Sequence, residues 1–125
     1  MRSIALGLSG LALALVVAAC GSANAVDPSA SVDPSAVHVQ AKGLQFATTQ
    51  VEATAGRAFT IAFDNSGGSA PHNVDIVDGS GKSVYQGAIV DPGKSAAYSV
   101  PALAAGSYSF KCDLHPDMKG TIVVR

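Results

Sequence analysis

From Val37 onward the chain is built of short β-branched and aromatic runs separated by turn clusters, and no segment offers a convincing helix longer than a turn or two. An amphipathic helix needs apolar residues at i, i+3, i+4 and i+7 over roughly ten residues or more, and no segment beyond Val37 supplies them convincingly. Two segments instead show a period of two. Val37, Val39 and Ala41 alternate with His38, Gln40 and Lys42, and Phe59, Ile61 and Phe63 alternate with Ala58, Thr60, Ala62 and Asp64. That is the pattern of a half-buried strand, which sends successive side chains to opposite faces. Asn65-Ser66-Gly67-Gly68-Ser69, Asp78-Gly79-Ser80-Gly81 and Asp91-Pro92-Gly93-Lys94 read as turns, because Gly tolerates positive φ and Pro presets its own. Strands are therefore expected near 37–42, 44–53, 57–64, 73–78, 82–89, 95–100, 106–112 and 120–125. The strand ending at Cys112 should be central. The expected class is all-β, a sandwich of about eight strands with no long helix.

The first 36 residues do not share this pattern. Met1 and Arg2 precede an apolar run, Ile4 to Ala19, of 16 residues. This is short for a spanning helix, which needs about 20, and it reads as an export signal. It runs into Val17-Ala18-Ala19-Cys20, and Leu15 to Cys20 resembles the lipobox of bacterial lipoproteins, in which the Cys becomes the lipidated first residue of the mature chain. The expectation is a signal peptide over 1–19, lipidation at Cys20 and a membrane held through that anchor. An ordinary signal cleaved after Ala23 or Ala25, or an uncleaved anchor, are the alternatives. Residues 20–36 carry a near repeat, Val26-Asp27-Pro28-Ser29-Ala30 and Val32-Asp33-Pro34-Ser35-Ala36, with no sustained apolar period. Such a stretch reads as a tether. The 16 residues after Cys20 would span roughly 20–24 Å as a flexible coil.

The domain expected over 37–125 has 89 residues. A domain of that size buries only about 60–65% of its unfolded surface, so an ion that binds only the folded form would add to its stability. Lys and Arg number 8 against 9 Asp and Glu, and loss of Arg2 with the leader takes the net charge from −1 to −2. Nothing in that balance attracts nucleic acid. If Cys20 is lipidated, Cys112 has no partner in the chain, and a lone thiol in an oxidising compartment calls for a reason.

Cys112-Asp113-Leu114-His115-Pro116-Asp117-Met118 gives one. It places a thiolate, an imidazole and a thioether on one loop, with two residues between successive donors. Soft sulfur suits Cu(I), imidazole serves both Cu(I) and Cu(II), and a weak axial thioether tunes the couple between them. A second imidazole is needed, and His72 in Ala70-Pro71-His72-Asn73-Val74 is the candidate. Taken singly, each residue has a plainer reading: His72 as a surface or satisfied core histidine, Met118 as loop filler, Cys112 as a small buried hydrophobe. His38 is read as a strand residue facing solvent, and Asp113 and Asp117 as solvated loop charges.

Pro71-His72-Asn73, the strand Tyr108-Ser109-Phe110-Lys111-Cys112 and the Cys-x-x-His-x-x-Met loop together resemble the plastocyanin, amicyanin and pseudoazurin family of cupredoxins. The likeness covers residues 37–125, and the loop spacing is nearer amicyanin than plastocyanin. It implies a Greek-key β-sandwich with one type 1 copper ion held by His72, Cys112, His115 and axial Met118. It implies that Asn73 ties the ligand loops together and presents its backbone N–H to the Cys112 sulfur. The function implied is one-electron transfer at the cell envelope, on the outer face of the plasma membrane or in the periplasm. Redox protein partners would dock on a monomer near His115, with Leu114 and Pro116 in an apolar patch.

Copper storage or delivery without redox turnover would use the same ligands, although a single Met and a single Cys in the folded part favour the carrier. No enzyme is expected. A Cys-His hydrolase needs a base and an orienting group, and His115 is better placed as a co-ligand. A copper oxidase or reductase would need further His clusters, and only His38 is left over. A zinc site is geometrically possible but gains little from the thioether.

Overall fold

A computed structural model describes residues 35–125; the leader, Cys20 and most of the tether lie outside the described residues. Nine strands form two sheets: β1 Val37–Gly43, β2 Gln45–Phe46, β3 Gln50–Ala53, β4 Phe59–Gly68, β5 Asp75–Val77, β6 Ser83–Gln86, β7 Ser95–Val100, β8 Gly106–Lys111 and β9 Lys119–Val124. One sheet runs β2-β1-β4-β7 and the other β3-β9-β8-β5-β6. The all-β sandwich expected from the alternation is what forms, and no helix occurs among the described residues.

The core lies between the sheets. Val39, Ala41, Phe46, Ile61, Phe63, Tyr98 and Val100 come from the first sheet and meet Ile76, Phe110, Ile122 and Val124 from the second. An aromatic edge contact joins the layers, Phe46 against Phe110 at 4.9 Å, and within the first sheet Phe63 stacks on Tyr98 at 5.8 Å. Pairs of this kind are worth about 0.5–1.5 kcal/mol beyond the area they bury. Gly120 stands opposite Phe110 in the β8–β9 register. A Cβ there would lie 2.2 Å from Phe110 Cζ, so the glycine is what lets this ring lie across the neighbouring strand.

Two expectations need correction. The stretch 44–53 is not one strand. Phe46 drops into the core, the Ala47 amide donates to Gln40 O and the Gln40 amide to Thr48 Oγ1, and pairing with β1 then stops. From Thr49, whose carbonyl accepts the Thr121 amide, the chain joins the other sheet, where β3 runs parallel to β9. The chain thus changes layers within three residues. Nor is Asn65-Ser66-Gly67-Gly68 a turn. β4 continues to Gly68, paired with β1 through a bulge that shifts the register between Gln40 and Lys42. The alternation explains why: Ile61, Phe63 and Asn65 share the inward face, and all three are buried.

β8 is flanked by β9 and β5, as a central strand should be. It leads directly into Cys112, and β4, in the other sheet, ends at Gly68 against the His72 ring. The segment between β4 and β5 carries His72. Its backbone makes a two-way bridge to Val90, with the His72 amide to Val90 O at 3.0 Å and the Val90 amide to His72 O at 2.7 Å.

Candidate metal centre

The loop after β8 is closed by its own backbone. The Cys112 amide donates to Met118 O at 3.0 Å and the Met118 amide to His115 O at 2.9 Å. These bonds turn the side chains of Cys112 and Met118 inward, where both are 1% exposed, and leave His115 half-buried at the rim. His72 arrives from the other ligand segment, fully buried.

Three donor atoms converge. His72 Nδ1 lies 3.0 Å from His115 Nδ1, and the Cys112 sulfur lies 3.7 Å from the first and 3.6 Å from the second. His72 Nε2 faces the Gly43 carbonyl at 2.9 Å. A carbonyl only accepts, so Nε2 carries the proton and Nδ1 offers a lone pair toward His115 and Cys112. Two imidazole nitrogens in that contact need something between their lone pairs, either an N–H donated by His115 or a metal ion. A triangle with sides of 3.0, 3.6 and 3.7 Å has a circumradius of about 2.0 Å, close to the roughly 2.0–2.3 Å of nitrogen and sulfur bonds to a first-row ion such as zinc. The cluster therefore fits one metal ion without rearrangement, and a trigonal His2Cys set with a Met alongside is the donor set that copper prefers.

The surroundings fix these ligands. Asn73, which is 2% exposed, donates through Nδ2 to Gly87 O at 3.0 Å and to Asp113 Oδ2 at 2.8 Å. It also accepts the Asp113 amide at Oδ1, at 2.9 Å. One side chain thereby ties the His72 segment to the Cys112 loop. Asp113 is exposed, as expected from sequence, but its charge has partners. Its carboxylate takes bonds from Lys111, Asn73 and Gln86, and these, Lys111 foremost, hold it far below the usual carboxylate range. Lys111 is pushed up in turn, first by Asp113 and then by Asp75.

Sequence reasoning missed Asn65. It is fully buried, and its Nδ2 donates to Ala70 O at 3.0 Å and Val90 O at 2.9 Å, pinning both the approach to His72 and its bridge partner. The alternation of β4, carried one step past Phe63, would have pointed to it. It also missed the Gly43 carbonyl, for which no sequence signal exists. Asp117 is exposed, as is His38.

Comparisons agree with this geometry. The cupredoxin-like domain model matches residues 10–124. Amicyanin-alpha of Methylorubrum extorquens is 30% identical over 121 residues, covering 96% of this chain and 98% of that one. Amicyanin of Paracoccus versutus is 33% identical over 96 residues, 76% of this chain and 69% of its own. Among solved structures, auracyanin A, a blue copper protein of Chloroflexus aurantiacus, superposes with a TM-score of 0.61 at 23% identity over 72% of this chain and 98% of its own. With a His2Cys donor triangle of a size that fits one metal ion, a family model matched over residues 10–124 and amicyanin-alpha matched along 96% of the chain, the protein belongs to the cupredoxin-like family, and its metal is copper.

Proposed function

We propose that the protein is a one-electron carrier of the cell envelope, with His72, Cys112 and His115 as the trigonal copper ligands and Met118 as the axial one. The observation that carries this reading is the convergence of the three donor atoms. Bound copper would supply a one-electron couple for exchange between protein partners. The chain's own part is to hold the ligands still. The His72 backbone is bridged to Val90, its ring is held by Gly43 O, and the Cys112 loop is tied by Asn73. A site with so little freedom changes little when its ion changes charge, which suits a carrier better than a store that must release the ion.

His115 is the ligand at the rim, and the exposed large apolar side chains Leu44, Ile89 and Leu114 each lie next to site backbone. Leu44 follows Gly43, Ile89 precedes Val90, and Leu114 precedes His115. They offer a redox protein an apolar docking rim around the exposed ligand, with Pro116 beside it. The protein would work as an exported monomer, cleaved after residue 19 and held by a lipid on Cys20, with the 20–36 tether giving the 37–125 domain its reach. Two acyl chains or more would hold it far more firmly than one.

Adding Cu(II) to the purified protein should produce an intense visible thiolate-to-copper band that vanishes in Cys112→Ser, together with a reversible one-electron voltammetric wave. Absence of the band from the parent defeats the ligand assignment. A band without a reversible wave favours delivery over transport. For the anchor, Cys20→Ala should move the protein from the membrane fraction to the soluble one, and full retention on the membrane sinks the lipid assignment.

A further inference from the structure

We propose that Asp75, Lys111 and Asp113 form a charged clamp on the outer face of the second sheet that biases the copper site toward Cu(II), with Lys111 moderating the bias. The inference rests on the carrier reading above and concerns residues that the ligand set does not include.

The clamp is built by strand register. Asp75 on β5 stands directly beside Lys111 on β8 and Gln86 on β6. Lys111 Nζ reaches Asp75 Oδ2 at 2.6 Å and Asp113 Oδ1 at 2.8 Å, so one ammonium bridges two carboxylates. Ser83 Oγ donates to the other oxygen of Asp75, while Gln86 Nε2 and Asn73 Nδ2 donate to Asp113 Oδ2 at 2.7 and 2.8 Å. The Asp75 side chain is only 4% exposed, against 38% for Lys111 and 27% for Asp113. An ion pair whose ammonium is this open to solvent contributes little net stability, so stability alone is a weak reason for it.

Its position gives a better one. Lys111 and Asp113 are the chain neighbours of Cys112 on either side, and Cys112 points into the core. Two carboxylates and one ammonium leave a net charge of −1 against the backbone of the thiolate residue. Solvent screens it only in part, because the Asp75 carboxylate is buried, while the more open Asp113 is fixed in place beside Cys112 by three donors. A negative charge there stabilises the ion carrying one more positive charge, so Cu(II) gains over Cu(I). Lys111 sets how much of the carboxylate field the site experiences. A purely mechanical brace would behave differently, since cutting it from either side would loosen the same loop.

The test is to measure Cu(I) and Cu(II) dissociation constants of the full chain by chelator competition, which needs no redox turnover. Asp113→Asn should raise the ratio of the Cu(II) to the Cu(I) constant by about three- to tenfold, and Lys111→Met should lower it by a similar factor; tenfold corresponds to about 59 mV for a one-electron couple. Lys111→Arg keeps the charge and should stay within twofold of the parent. It serves in place of Lys111→Met if that variant does not fold, and a change in its ratio as large as three- to tenfold would then count against the clamp. In the metal-free protein, exchange of the Asp113 amide, which donates to Asn73 Oδ1, should remain slow in the variants, reporting an intact loop. Asp113→Asn and Lys111→Met moving the ratio in the same direction, or both staying within twofold of the parent, would overturn the clamp. A parent that binds both ions but gives no reversible wave would instead count against the carrier reading and leave these ratios readable.

Discussion

Gly68 offers the sharpest test of how the fold supports His72. It does not have a positive φ, so alanine is compatible with its backbone and any cost must come from the added methyl. That methyl would lie 1.8 Å from Asn65 Oδ1, 2.8 Å from Asn65 Cγ and 3.1 Å from His72 Cδ2. The first distance is far inside contact, so Asn65 must move. Because Asn65 is fully buried and spends both Nδ2 hydrogens on Ala70 O and Val90 O, moving it breaks both bonds. Two lost hydrogen bonds cost about 0.5–1.5 kcal/mol each, and an extra methyl in a packed interior adds about 1–3 kcal/mol. The sum is about 2–6 kcal/mol, a large share of the roughly 5–15 kcal/mol that holds a small domain folded. Urea denaturation of the metal-free chain should show the midpoint of Gly68→Ala falling with the slope unchanged. Asn65→Ala removes the atoms the methyl strikes, so adding Gly68→Ala to it should cost little, leaving a coupling nearly equal to the whole Gly68→Ala cost, about 2–6 kcal/mol, in the double-mutant cycle. A Gly68→Ala cost below about 0.5 kcal/mol, within the range of ordinary surface changes, or an additive cycle would refute the reasoning.

Asn73→Ala removes three hydrogen bonds that tie the ligand segments and should cost about 2–4 kcal/mol in the same denaturation assay, with faster loss of copper to a chelator. Phe110→Ala, at the centre of the aromatic core and fully buried, should cost about 3–5 kcal/mol. Leu114→Ala, which is exposed, should change stability by less than about 0.5 kcal/mol, but should slow exchange with a redox partner if the apolar rim is the docking face. The Asp64 carboxyl is held below its ordinary value of 3.8, first by the Ser66 amide and hydroxyl and then by Gln40 and Ser95. A depressed carboxyl stabilises the fold above its unfolded value and loses that contribution as pH falls through its folded value. Asp64→Asn should therefore be less stable than the parent near pH 7 by roughly 0.2–1 kcal/mol, after solvent screening, and the gap should close below pH 3.8. A gap that stays unchanged however far the pH is taken below 3.8 would contradict the assignment.

What could be read from the sequence follows from how local each feature is. The alternation in Val37 to Lys42 and Ala58 to Asp64 marks β1 and β4 because a strand's two faces are written into consecutive residues. The layer change at 47–49 is not written there. It depends on where Phe46 finds space between the sheets and on which strand is free to accept the backbone beyond Thr49. The glycines of β4 mislead for a related reason: Gly67 and Gly68 suggest a turn, whereas the structure uses their lack of side chains to pass β1 and to seat Asn65.

The site divides along the same line. Cys112, His115 and Met118 lie on a single loop, so their spacing carries chemistry that no assumption about topology is needed to see. His72 is 40 residues from Cys112, and only the packing of one sheet on the other brings the two within 3.7 Å. The groups around them are more distant still from any local pattern. Gly43 O orients His72 across the sandwich, and Asp75 meets Lys111 only because β5 and β8 pair in one register. A shift of one residue in that register would move Asp75 to the core face and dissolve the clamp, yet leave the Cys112 loop intact. Three of the four proposed ligands are therefore fixed by short-range spacing, whereas His72 and the clamp proposed above both depend on how strands pack and pair. Relatives that keep the loop but alter β5 should bind the same ion with a different preference between Cu(I) and Cu(II).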